Sequence, residues 1–63
     1  MKIEILFPRT VHGQHSKECE VAQVPREGES IQIGEDDGAW FVDSVIHIAD
    51  PKQGDPVAQL RVK

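Results

Sequence analysis

Two turns and two strands in the middle of the chain restrict its fold more than any other feature. Val24-Pro25-Arg26-Glu27-Gly28-Glu29 carries the proline and glycine of a turn, and Ser30-Ile31-Gln32-Ile33 alternates polar with apolar residues. Gly34-Glu35-Asp36-Asp37-Gly38 is a second turn, since Asp tolerates left-handed backbone and Gly adopts it without steric cost. Residues 39–49 then form the longest apolar run. Its four β-branched residues (Val42, Val45, Ile46, Ile48) and two aromatics (Trp40, Phe41) favour a strand over a helix. The unit therefore predicts a hairpin within an all-β fold.

The facing of the long strand is the open question. Strict alternation puts Trp40, Val42, Ser44, Ile46 and Ile48 on one side and Phe41, Asp43, Val45 and His47 on the other, and neither side is clean. A bulge near Asp43-Ser44 sorts them better: Trp40, Val42, Val45 and His47 together, with Phe41, Ile46 and Ile48 opposite. The bulged arrangement is the expectation. Trp40, Val42 and Val45 are then core, and Phe41, Ile46 and Ile48 form an exposed apolar surface of the kind that marks a partner site.

The rest of the chain adds three strands. Residues 2–7 alternate, with Ile3, Ile5 and Phe7 on one face, and Pro8 is read as the strand's end. Residues 9–17 are polar around Gly13 and are read as a loop. A second strand is expected over 18–24, stopped by Pro25, and a last one over 56–62 with Ala58, Leu60 and Val62 inward. No segment has helix start and stop signals. Five short strands separated by turns predict one domain over 1–63, a small SH3-like barrel or a rolled antiparallel sheet.

Size and charge narrow the function classes. A 63-residue chain buries about 60% of its unfolded surface, so its core is marginal and gains from a partner. The single cysteine, Cys19, excludes an internal disulfide and suits a reducing, cytoplasmic setting. Met1 leads straight into alternating residues, which is unlike a signal peptide, and no apolar run approaches the ~20 residues that span a bilayer. Eleven acids against seven scattered bases give a net charge of -4, which disfavours a phosphate grip.

The pattern Pro25-x-x-Gly28-Glu29-x-Ile31-x-Ile33, followed by Trp40-x-Val42-x-x-Val45-x-His47 and a short terminal strand, resembles a recurring type of small bacterial and phage-borne protein with an SH3-like barrel. The resemblance covers residues 24–62. It implies the barrel and brings no catalytic residues with it, and such barrels serve many unrelated binding roles.

Candidate chemical sites are sparse. His12, His15 and Cys19 are zinc-ligand types, with His47 as a conceivable fourth, but H-x-x-H-x-x-x-C fits no standard zinc module. Cys19 beside a histidine would make a nucleophile–base pair, whereas a strand cysteine is usually a small buried hydrophobe. Glu35-Asp36-Asp37 lacks the alternate oxygen spacing of a calcium loop. No catalytic residue, metal, cofactor or small-molecule substrate is expected. The chain reads as a non-enzymatic protein-interaction module, binding a second copy or a heterologous protein. A nucleic-acid-binding barrel is the alternative, with Trp40 or Phe41 stacking bases beside Arg26, Arg61 and Lys63. An acidic accessory protein that inhibits a host enzyme is a further one.

Overall fold

The computed structural model describes residues 1–33 and 38–63. Five strands form one curled half-barrel sheet with no helix among the described residues: β1 (Lys2–Val11), β2 (Gln14–Glu20), β3 (Ser30–Gln32), β4 (Ala39–His47) and β5 (Ala58–Val62). The spatial order is β2-β1-β5-β4-β3. The all-β class, the strand number and the rolled sheet are as the sequence predicts. Residues 34–37, and with them most of the second predicted turn and the Glu35-Asp36-Asp37 acidic run, lie outside the described residues.

One pairing departs from an antiparallel sheet. β1 runs parallel to β5, with Ile3 opposite Ala58 and Ile5 opposite Leu60. The other pairs, β1–β2, β3–β4 and β4–β5, are antiparallel. Parallel neighbours need a long crossover, and here the intervening three strands supply it.

The N-terminal third also differs from its sequence reading. Pro8 does not end β1, and the predicted loop over 9–17 is a hairpin arm. β1 continues to Val11, His12-Gly13 turns, and β2 starts at Gln14 rather than Glu18. Val11 pairs with Gln14, and the two turn residues have φ of 50° and 77°. Positive φ at both positions is the two-residue hairpin geometry that matches strand twist. Pro8 acts on pairing instead. The register is regular from Lys2↔Glu20 to Leu6↔Ser16 and then slips before Val11. Proline's fixed φ suits extended backbone, but its missing N–H interrupts a ladder. The predicted strand over 18–24 survives only as the end of β2.

The bulge in β4 is present. Val42 faces Val62 and Ser44 faces Arg61, so two steps on β4 meet one step on β5. It turns Trp40, Val42 and Val45 inward. The buried core consists of Ile3, Ile5, Ile33, Trp40, Val42, Ala58, Leu60 and Val62, with Val45, Phe7, Val11 and Cys19 among the half-buried residues packed on it. Each fully buried aliphatic chain contributes about 1.5–3 kcal/mol. Strand β5 supplies three of the eight because it lies mid-sheet, with Ala58, Leu60 and Val62 on the concave side as its alternation predicts.

Candidate functional site

β4 changes its surroundings halfway along. Its first half lies against β3, where Ala39, Trp40 and Phe41 pair with Gln32, Ile31 and Ser30, and Phe41 also exchanges backbone hydrogen bonds with Lys63 on the β5 side. Gly28 N–H donates to Val42 O at 2.8 Å, and Val42 N–H donates to Glu29 O at 2.9 Å. Gly28, with φ 88°, occupies the third position of the Arg26–Glu29 turn, where positive φ is required, and this turn brings its N–H to β4. Beyond Val42 only β5 remains as a neighbour. From Asp43 to His47, no strand among the described residues lies on β4's other side.

The parity of this open stretch follows from the ladder. Ile48 N–H donates to Val57 O at 2.9 Å, and Ile46 faces Gln59 and Ser44 faces Arg61 in the same register. Residues 44, 46 and 48 therefore direct their backbone groups toward β5. In an antiparallel ladder the alternate residues, Val45 and His47, direct their N–H and C=O to the open side. This is an unpaired edge of the kind to which another strand can add.

Past the charged Asp43, the side chains from Ser44 to Ile48 are apolar or uncharged apart from the ionisable His47. Ile46 is 48% exposed on the convex face, His47 is exposed, and Ile48 is half-buried just past the strand's end. Phe41, at 54% exposure, also points outward. The bulged Asp43 and Ser44 stand between it and Ile46, and five residues of strand span about 16 Å. Ile46 and Ile48 are thus neighbours, while Phe41 is a separate exposed ring. Trp40, Val42 and Val45 on the concave side and Phe41 and Ile46 on the convex side are sorted as the bulge requires. His47, expected with the core set, is instead exposed, and Ile48, expected outward, is half-buried.

Trp40 is not available as a stacking platform. It is buried, with the Phe7 ring 5.5 Å from its own at a 48° tilt and the Arg9 guanidinium 5.3 Å from its centroid. Its indole N–H is buried and has no hydrogen-bond partner among the described residues. Arg61 and Lys63 border a cleft of about 430 Å³ between the ends of β5 and Leu6-Phe7-Pro8 of β1, and Lys63 pairs with Asp43 at 3.4 Å. Arg26 belongs to the turn that carries Gly28.

The zinc-ligand types are dispersed. His12 is in the β1–β2 turn, and His15 lies near the start of β2 with its Nδ1 3.5 Å from Thr10 Oγ1. Cys19 faces Ile3 and packs on the core. Four residues of strand separate His15 from Cys19 by about 13 Å, too far to share an ion or a proton. His47 is on β4, opposite Ala58. No group of three or more His, Cys, Asp or Glu converges among the described residues. Among the described residues no helix is long and apolar enough to cross a membrane.

The open edge was not singled out from the sequence, although a signal for it exists. The alternating run 30–33 is far shorter than the run 39–49, so a hairpin of the two leaves much of the longer strand without its partner. The chain matches no protein-family model, no curated protein and no solved structure.

Proposed function

We propose that the chain is a non-enzymatic protein-interaction module whose contact surface is made by the exposed Phe41 and Ile46 of β4 and the half-buried Ile48 just past its end. The observation that carries the reading is Ile46, half exposed on the half of β4 that has β5 on one side and, among the described residues, no strand on the other. Apolar surface and unpaired backbone donors coincide there, and a partner satisfies both at once. A partner also adds burial to a domain in which the core's net contribution, once chain entropy is offset, is only about 3–5 kcal/mol. The barrel is of SH3-like type on the strand count, the turn chemistry and the curl of the sheet; its parallel β1–β5 pair is its distinguishing trait. A cytoplasmic setting accords with the lone, unpaired thiol of Cys19.

The test is site-specific photo-crosslinking in producing cells. A benzophenone amino acid is placed at Phe41, at Ile46 and, as control, at Lys17 on β2. Protein adducts concentrated at 41 and 46 are expected. Equal yields at all three positions, or none at 41 and 46, overturn the reading. Adducts to RNA or DNA at Phe41 would favour the nucleic-acid alternative instead.

A further inference from the structure

We infer that the occupant of the β4 edge is the β4 edge of a second copy, added antiparallel about a two-fold axis that passes beside Ile46. The inference rests on the interaction-module reading and specifies its partner.

The argument starts from parity. Val45 and His47 direct their backbone groups to the open side, and they are symmetric about Ile46. A copy rotated by a two-fold axis at Ile46 places its His47 opposite Val45 and its Val45 opposite His47. Both are then hydrogen-bonded pairs, giving about four intermolecular bonds. Ile46 meets its own copy in the non-hydrogen-bonded position between them, where side chains approach closest. An axis at Val45 or His47 puts fewer of these groups in reach, because the bulge at Asp43 and the turn at Asp50 limit the strand.

Side chains agree with this register. In a continuous sheet, residues directly opposite share a face. Ile46 packs on the other Ile46, and each half-buried Ile48 lies opposite the other chain's Ser44, so the exposed Ile46 and its Ile48 neighbour form one covered strip. Charge is also compatible. Between Ser44 and Ile48 the only ionisable group is His47, and it meets Val45. Asp43 falls opposite Ala49, so the register sets no acid against an acid. For a chain of net charge -4, this near-neutral edge is where a copy approaches with least repulsion.

The ends of the contact are bounded as well. Gly28 and Glu29 occupy the Val42 groups, so an added strand must stop there. In the proposed register Val42 lies opposite the copy's Asp50. Asp50 has φ 51°, a left-handed turn that takes the chain off the line of β4 at that point. The strand that would collide with the 28–29 segment has already turned away. The contact is short, at the low end of specific interfaces, so a reversible dimer in about the micromolar range or weaker is expected.

The test combines association with register. Sedimentation velocity from micromolar to near-millimolar concentration is expected to show a reversible monomer–dimer equilibrium. His47→Pro removes only an outward N–H, and Ile46→Lys puts two ammonium groups at the axis. Each is expected to weaken dimerisation at least tenfold while leaving the circular-dichroism spectrum of the monomer unchanged; Ile46→Lys covers the case in which the proline variant does not fold. In a Cys19→Ser background, mild oxidation is expected to link Ile46→Cys across the axis, since non-hydrogen-bonded Cα atoms lie within disulfide reach. Ser44→Cys is expected not to link, because the two copies of residue 44 lie about 13 Å apart along the strand.

A strictly monomeric chain at all concentrations overturns the inference, as does a dimer unaffected by both β4 variants or one in which Ser44→Cys links as well as Ile46→Cys. If the chain is monomeric yet photo-adducts at 41 and 46 contain another protein, the self-pairing fails and the module reading stands. If neither dimer nor localised adducts form, both fail.

Discussion

β2 and the second half of β4 are open edges of the same sheet, and they are built from opposite chemistry. β2 reads Gln14-His15-Ser16-Lys17-Glu18-Cys19-Glu20, with Lys17, Glu18 and Glu20 exposed. Any strand added there must bury or approach charges of both signs. The β4 stretch reads Ser44-Val45-Ile46-His47-Ile48 and presents no carboxylate or ammonium between Asp43 and Asp50. Charged, lysine-bearing edges resist addition, whereas flat apolar ones invite it. An unpaired ladder is therefore not enough to define a docking site. In this molecule the side chains distinguish a charged edge from an apolar one, and the proposed partner sits on the second alone.

The largest expected effect tests whether β4 has a covered and an open side at all. Ile46 and His47 are adjacent, yet their backbone groups face opposite ways. Ile46→Pro removes a ladder bond to β5 and is expected to cost about 3 kcal/mol or more, enough to unfold a domain this small. His47→Pro is expected to cost under about 1 kcal/mol, because edge proline with its nitrogen toward solvent is tolerated. Urea denaturation below the dimerisation range reads both. Equal losses would mean that the two sides of β4 are not different, and the comparison with β2 would collapse.

Gly28 fixes where the open stretch of β4 begins. At φ 88° it has free space around an added Cβ, so only backbone strain opposes substitution. Gly28→Ala is expected to cost about 1 kcal/mol or somewhat more, from the left-handed conformation alone. It should also speed amide exchange at Val42, whose N–H bonds Glu29 O. Unchanged stability would show that the 28–29 segment does not guard the first half of β4, and that the two halves differ less than their pairing suggests.

These features were legible in the sequence to different degrees, for reasons that lie in how local each one is. The bulge was readable because neither face of 39–49 is clean under strict alternation, and a bulge at Asp43-Ser44 repairs both. The inward set on β5 was readable because a short strand with one buried face must alternate. The hairpin arm was not, because Pro8 and Gly13 are punctuation marks whose usual reading is an interruption. Proline interrupted the pairing but not the extended chain, and His12-Gly13 is a less familiar turn pair than Asn-Gly. The parallel β1–β5 contact joins residues more than fifty apart, and no local pattern sets the direction of such a pair. The convex surface was legible in its residues, Phe41 and Ile46, but the open edge beside them depended on β3 stopping after three residues.

The arm that carries the charged edge is tied to the core through a small aromatic contact, and here a more modest effect is expected. Phe7 and Arg9 both meet Trp40. Arg9→Ala removes a cation–π contact of about 0.5–1 kcal/mol at its exposed end. The loss should appear as faster exchange in residues 9–16 and a slightly lower denaturation midpoint, with dimerisation at β4 unchanged. A change in dimer affinity would mean that the two edges communicate and cannot be treated as separate surfaces.

The smallest expected change in stability is also the most direct attempt to make β2 resemble β4. Lys17 and Glu18 are exposed, and neither makes a side-chain hydrogen bond or salt bridge among the described residues. Lys17→Thr with Glu18→Val keeps strand propensity and is expected to shift folding free energy by less than about 0.5 kcal/mol, as surface substitutions usually do. Its expected effect is on association. With the two central gatekeeping charges gone and only Glu20 left at the strand's end, a second edge becomes competent for strand addition, and a chain with two such edges no longer stops at a closed pair. Light scattering of the double variant should then show species larger than a dimer, growing with concentration, and His47→Pro in the same chain should cap them at a pair joined through β2. If the double variant keeps the parent's association behaviour, charge is not what separates the two edges. The explanation would then have to lie in backbone geometry, above all in the register slip that Pro8 introduces beneath β2.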